Sequence, residues 1–352
     1  VDSSFGQIAG CVNAVAENRS CGETSQCQFC SIRRSLLQTL LEAAPVDRQQ
    51  LERRFYINGK PVTKYLEFSA RPILFQGRRM ILVIIYDVTD IEAQKRELEA
   101  KQAQIDHDLE AAAEIQKSLL PQHALDIPHI HSAWQFEPCD GVGGDIFQIH
   151  PIGDEDVSAY VLDVCGHGVS AALVAVTVTQ FLQGLHNRMR LTGKLFSPEA
   201  VLDRLNSAFP LDRFDCFFTI AYVSLNVKTG KLIYSNAGHE PPLILKPDGT
   251  LEVLAHHGTV IGSGFDKAFD QETLILSPGE RLILYTDGLT DNFGPDGERE
   301  GRNLFYAALR EQVARPMDDF AKTIFAHSRA LRGDVAPNDD MSLVAIEYAG
   351  WR

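Results

Sequence analysis

Aspartates stand at the edges of four apolar runs that lie far apart in the chain. Asp163 follows Ala159-Tyr160-Val161-Leu162 and opens Asp163-Val164-Cys165-Gly166-His167-Gly168. Asp145 closes Gly143-Gly144-Asp145 ahead of Ile146-Phe147. Asp287 sits in Thr286-Asp287-Gly288, after Leu282-Ile283-Leu284-Tyr285. Asp339 and Asp340 sit in Asn338-Asp339-Asp340-Met341-Ser342, before Leu343-Val344-Ala345-Ile346. Short apolar runs bounded by turn residues read as buried strands. Each carboxylate is therefore expected at a strand end, where glycine allows a tight turn. Any one of them alone could be an incidental acid in a turn. Converged carboxylates repel one another, and their pKa values rise. Divalent cations remove that penalty, and hard oxygen donors suit Mg²⁺ or Mn²⁺.

The elements that would hold these motifs are strands and paired helices. Val157 to Leu162 and Phe217 to Leu225 read as strands, the latter pairing with Lys231 to Ser235 across Lys228-Thr229-Gly230. Val169 to Leu185 reads as a buried helix. A second helix is expected from Pro198 to about Phe209, with Ser197 as its cap. Pro247-Asp248-Gly249 marks a turn between strands, Gly301 to Val313 and Met317 to Leu331 read as helices, and Met341 to Tyr348 is the closing strand.

Taken in order, the four acidic motifs resemble those of the PPM-type (type 2C-like) metal-dependent protein phosphatases, in their bacterial RsbU/SpoIIE branch. Ile115-Gln116-Lys117-Ser118-Leu119-Leu120-Pro121 is similar to that branch's domain entry, and Asn236-Ala237-Gly238-His239-Glu240-Pro241-Pro242 to its central loop. The resemblance covers roughly Glu114 to Tyr348. It implies an α+β fold, an α-β-β-α sandwich, over residues 121–352. It also implies two Mn²⁺ or Mg²⁺ ions held by Asp145, Asp163, Asp287 and Asp339, with the Val164 carbonyl as backbone ligand. Asp340 is the second choice in the closing motif. The implied reaction is hydrolysis of a phosphoserine or phosphothreonine by a metal-activated water. The implied substrate is a phosphorylated STAS-domain anti-anti-sigma factor in a partner-switching pathway. A non-catalytic scaffold that keeps the fold and binds a partner is the alternative.

The sequence departs from the family pattern in places. His167 lies four residues after the bridging aspartate, where the eukaryotic members place their histidine two after, so a structural role is the expectation, and the same doubt attaches to His239. Gln148 stands where many relatives carry another Asp. Cys165 reads as a small residue under a turn rather than a nucleophile.

Upstream, residues 1–90 read as a partial PAS-like α+β sensor domain. A helix over Ser31 to Ala43 precedes strands at Arg54 to Ile57, Tyr65 to Phe75 and Arg79 to Tyr86, turning at Asn58-Gly59 and Gln76-Gly77. The segment closes on Asp87-Val88-Thr89-Asp90. Residues 91–120 read as one helix in which Ile91, Leu98, Ile105, Ala112 and Leu119 recur every seven residues. Its second row, Lys95, Gln102, Leu109 and Gln116, is mostly polar. That pattern suits a modest parallel coiled coil and a homodimer, with a solvated monomeric helix as the alternative. Pro121 ends the helix.

Composition narrows the remaining classes. The chain has 352 residues, 45% hydrophobic and 23% charged, with a net charge of −14. That balance describes a globular protein and argues against nucleic acid as a main partner. The longest purely apolar run, Met80 to Tyr86, is too short to cross a bilayer. No signal peptide is visible at the start, and the odd number of cysteines fits reduced cytosolic thiols better than a disulfide framework, which makes the cytoplasm the expected location. Val1 stands where a Met is expected, which leaves an upstream region open. Of seven cysteines, Cys139, Cys165 and Cys216 are widely scattered, whereas Cys11, Cys21, Cys27 and Cys30 crowd together. The quartet either binds zinc or an iron–sulfur cluster, or is a set of reduced thiols in a small core.

Overall fold

The computed structural model describes residues 5–121, 127–139, 141–166, 168–263, 269–293, 298–333 and 335–351. Two compact units divide the chain, Val1–Asp106 and His107–Arg352.

In the first unit, short helices α1 (Phe5–Ile8) and α2 (Val12–Ala16) and a 3-10 turn at Cys27–Phe29 lead into α3 (Ser31–Glu42). Strands β1 (Val46–Ile57), β2 (Lys60–Phe75) and β3 (Arg78–Asp87) form one antiparallel sheet in that order. Asn58-Gly59 and Gln76-Gly77 make its two hairpin turns, all four residues at positive φ. Helix α4 (Thr89–Leu119) follows, and the division between the units falls inside it.

The second unit adds β4 (Ile130–Glu137), β5 (Ile146–Pro151), β6 (Asp156–Val164), α5 (Val169–Thr192), α6 (Pro198–Ala208), α7 (Leu211–Phe214), β7 (Phe218–Asn226) and β8 (Lys231–Ala237). It continues with β9 (Leu243–Leu245), β10 (Leu251–Val253), β11 (Glu272–Ile275), β12 (Arg281–Tyr285), α8 (Asp287–Asp291), α9 (Glu298–Glu311), α10 (Met317–Arg332) and β13 (Met341–Tyr348). Its strands form two five-stranded sheets, ordered β10-β9-β12-β13-β4 and β11-β8-β7-β6-β5, with every adjacent pair antiparallel.

Alternation along β12 and β13 builds the layers, because successive side chains leave opposite faces of a strand. Leu282, Leu284, Val344 and Ile346 join the core shared with β5 to β8. Ile283, Tyr285, Leu343 and Ala345 pack instead with Phe305, Phe320 and Ile324 of α9 and α10. Ala171, Ala175, Val178 and Leu182 of α5 pack into the first of these cores. The result is two sheets face to face, with helices on the outer sides.

Three local features differ from the sequence expectation. Ser197 precedes α6 with extended backbone, but its side chain caps no backbone N–H; the start is set by Pro198, whose missing N–H costs nothing in a first turn. Helix α5 runs to Thr192 and, among the described residues, is one helix long and apolar enough to cross a membrane by length and composition. Its buried face lies in the core named above. The seven-residue row of α4 is divided. Ile91, Leu98 and Ile105 are 64%, 68% and 52% exposed, whereas Leu119 packs against the core of the second unit.

Candidate active site

Strand pairing brings the acidic motifs together. In one sheet Ile146 pairs with Leu162, so Asp145, just before β5, lies beside Asp163, next to last in β6. In the other sheet Tyr285 pairs with Leu343, so Asp287, first in α8, lies beside Asp339 and Asp340, just before β13. The ends of the two sheets are then stitched across the sandwich. The Thr286 hydroxyl donates to Asp145 Oδ2 at 2.7 Å, and the Ser342 hydroxyl donates to the same oxygen at 2.7 Å. The Ser342 N–H in turn donates to Thr286 Oγ1 at 3.0 Å.

Asp340 organises the backbone beneath this cluster. It is buried, accepts the Cys139 N–H at 2.9 Å and takes a long bond from the Asp145 N–H at 3.4 Å. Its carboxylate occupies the space where a Gly143 side chain would begin, and a Cβ at Gly144 would lie 2.7 Å from the Val164 carbonyl oxygen. The two glycines are therefore required by close approach, and they leave the Val164 carbonyl beside Asp145. Among the described residues, Cys139, Asp339 and Asp340 present ligand-type atoms that all lie within 4.8 Å of one another.

The electrostatics follow from the crowding. Burial, then the charges of Asp163 and Asp340, push Asp145 well above the ordinary carboxylate range. Burial, then Asp287, Asp339 and Asp340, raise Asp163. Burial, then Asp339 and Asp291, raise Asp287. Apart from the Cys139 sulfur, the donors gathered here are hard oxygens, in carboxylates and one carbonyl. This set fits Mg²⁺ or Mn²⁺, whose charge offsets the mutual repulsion.

Other residues singled out in the sequence take different places. His239 is buried, with Nδ1 2.7 Å from Thr219 Oγ1. Its backbone N–H donates to Asn236 Oδ1 at 2.8 Å, and burial lowers its pKa to about 4. It is neutral at pH 7 and locks the central loop. Gln148 is buried in β5 and donates to the Leu119 carbonyl at the end of α4, so this position ties a helix end rather than joining the acids. Cys165 is exposed just beyond β6. His167 lies outside the described residues.

Sequence reasoning missed several contributors. Gln116 occupied a polar heptad position, yet it is 3% exposed; its Nε2 donates to the Gly143 carbonyl at 2.7 Å, and its Oε1 accepts the Gly143 N–H at 3.1 Å. Glu240 accepts from Arg302 at 2.8 Å and from the Tyr285 hydroxyl at 3.1 Å. Burial raises its pKa, Arg302 opposes the rise, and the nearby Asp287 adds to it. Thr286 and Ser342 were visible inside the motifs, but nothing local gave them a role.

Comparison with known proteins gives the family. The family described as Stage II sporulation protein E (SpoIIE) matches residues 153–349. The chain belongs to the SpoIIE family. It is 28% identical over 295 residues to phosphoserine phosphatase RsbU of Bacillus subtilis, covering 82% of this chain and 84% of RsbU. Phosphoserine phosphatase RsbP of the same organism is 32% identical over 191 residues, covering 52% of this chain and 45% of RsbP. Protein IcfG of Synechocystis is 26% identical over 268 residues, covering 68% of this chain and 41% of IcfG. The chain thus spans under half the length of RsbP and IcfG. In fold, it is similar to the SiaA-PP2C domain of Pseudomonas aeruginosa, with a TM-score of 0.61 at 22% identity, covering 71% of this chain and 99% of that one. It is also similar to the SpoIIE phosphatase-domain structure from Bacillus subtilis, with a TM-score of 0.54 at 15% identity, covering 62% and 63%.

Proposed function

We propose that this SpoIIE-family chain is a sensor-regulated, metal-dependent protein serine/threonine phosphatase. The observation that carries the reading is the convergence of Asp145, Asp163, Asp287 and Asp339, from two sheets, on one end of the sandwich. Asp145, Asp163, Asp287, Asp339 and the Val164 carbonyl would hold two Mn²⁺ or Mg²⁺ ions. When bound, those ions supply an activated water and charge neutralisation for in-line attack on phosphorus. Thr286 and Ser342 fix the Asp145 carboxylate by their hydroxyls, and Asp340 holds the Gly143-Gly144 backbone in place. Glu240 and Arg302 brace the central loop near Asp287.

The organisation we propose has a PAS-like sensor region over residues 1–90, a signalling helix over 91–120 and the phosphatase over 121–352. The exposed row of Ile91, Leu98 and Ile105 supports a homodimer through that helix. The relatives RsbU and RsbP, named phosphoserine phosphatases, support a phosphoserine-bearing substrate; that it is a STAS-domain protein met in the cytoplasm follows from the family resemblance of the motifs. Phosphate release from a phosphorylated STAS protein, with and without Mn²⁺, tests the reading. Release that requires Mn²⁺ is expected; no release at any Mn²⁺ concentration, with Mn²⁺ bound, favours the scaffold alternative instead.

A further inference from the structure

Cys11, Cys21, Cys27 and Cys30 take no part in the acidic site, and all four line one cavity of about 470 Å³ in the first unit. The remaining wall is largely apolar, with Ile32, Leu36 and Phe55 prominent, and Arg33 and Arg53 supply positive charge. The cysteines come from separate places: Cys11 precedes α2, Cys21 lies in the following loop, Cys27 begins the 3-10 turn and Cys30 precedes α3. Gly6 lets two of them approach one point. A Cβ there would lie 2.7 Å from the Cys21 sulfur and 3.4 Å from the Cys11 Cβ.

The sulfurs are already supplied with donors. The Gly22 N–H donates to Cys27 Sγ at 3.2 Å, and the Thr24 hydroxyl lies 3.0 Å from the same sulfur. Arg53 donates to Cys30 Sγ at 2.7 Å. Hydrogen bonds to sulfur and nearby cations are what an anionic thiolate centre needs from its surroundings.

The size of the cavity decides between the two kinds of centre. Zinc binds thiolates at about 2.3 Å in a tetrahedron, which brings the sulfurs to about 3.8 Å of one another. The cavity that the four cysteines line, about 470 Å³, is far larger than such a tetrahedron. A cluster of several irons, with its thiolates on different metal atoms, takes a wider set and fills a larger space. We propose that Cys11, Cys21, Cys27 and Cys30 bind an iron–sulfur cluster in this cavity. Each cysteine would lose its thiol proton to solvent on ligation.

The test uses the full chain, purified without oxygen and reconstituted with ferric and ferrous iron and sulfide. We expect iron and acid-labile sulfide to be retained together, with visible charge-transfer absorption. Cys27→Ser and Cys30→Ser should each lose most of the iron and the absorption, while circular dichroism stays unchanged. Cys216→Ser, at a cysteine of the second unit, should keep both. Stoichiometric zinc on the quartet in place of iron would overturn the proposal. So would a chain that retains no iron while all four thiols are alkylated in the folded state, or Cys27→Ser and Cys30→Ser variants that keep full iron and sulfide.

Discussion

At the residue scale, position in the site separates groups that act from groups that support. Cys165 sits inside the central motif but is exposed, and a metal-bound nucleophile leaves it without a chemical task. Cys165→Ser is therefore expected to keep most of the phosphatase activity; complete loss with fold and metal content unchanged would contradict the account. His150, half-buried, and His186, buried, show the opposite situation, titratable groups that take no part in the acidic site. Their rings lie 4.5 Å apart, and His186 Nε2 bonds the Tyr222 hydroxyl at 2.8 Å and Ser158 Oγ at 3.2 Å. Burial lowers His186 to about 3, with His150 adding to the effect, and lowers His150 to about 4, with Arg190 adding. Below pH 6.5 the unfolded chain binds protons at both sites and the folded chain does not. Stability should therefore fall as pH drops from 6.5 toward 4, by at most about 1.4 kcal/mol per pH unit for each imidazole. His186→Gln keeps a hydrogen-bonding side chain and removes one proton from that slope. Thermal melts across this range check it, and an unchanged slope would show that His186 is protonated in the fold.

At the element scale, α4 carries two different kinds of contact. Its early turns expose Ile91, Leu98 and Ile105, whereas its last turns are bound to the loop that presents Asp145, through Gln116, and to β5, through Gln148. Gln116→Ala would leave the Gly143 N–H and carbonyl buried without this partner, a loss of ~1–3 kcal/mol. Because the same loop aims Asp145, turnover should drop by roughly 10- to 100-fold. A variant that loses stability but not turnover would make Gln116 purely structural. Replacing Leu98 and Ile105 with Asp would put charges in the exposed row. We expect that variant to be monomeric by light scattering and no longer responsive to the sensor region, while Mn²⁺ binding remains. A variant that stays dimeric, or a monomer regulated as before, would reduce the helix to a spacer.

At the scale of the whole molecule, much of the architecture was legible because its signals are local. Apolar runs such as Leu282–Tyr285 and Leu343–Ile346 are strands, Asn58-Gly59 is a turn, and each Asp lies within two residues of a strand end. What was not legible depends on partners distant in sequence. Nothing near Gln116 distinguishes a solvated heptad position from a side chain that holds Gly143, 27 residues on. Asp340 looked secondary to Asp339 until its bond to the Cys139 N–H, 201 residues away, showed it supporting the loops. Ser197 had the right residue type for a cap, yet the helix begins without its side chain because Pro198 suffices. The central claim is that the gathered carboxylates form one metal-dependent hydrolytic centre, with Asp163 reached by the charges of Asp287, Asp339 and Asp340. Its most direct test is Asp163→Ala, assayed for phosphate release across a Mn²⁺ titration alongside circular dichroism. The account predicts an intact fold and a loss on the order of a thousandfold in turnover, about 4 kcal/mol, that added Mn²⁺ does not restore. Near-wild-type turnover in Asp163→Ala, or full activity of the unaltered chain in chelator, would contradict it.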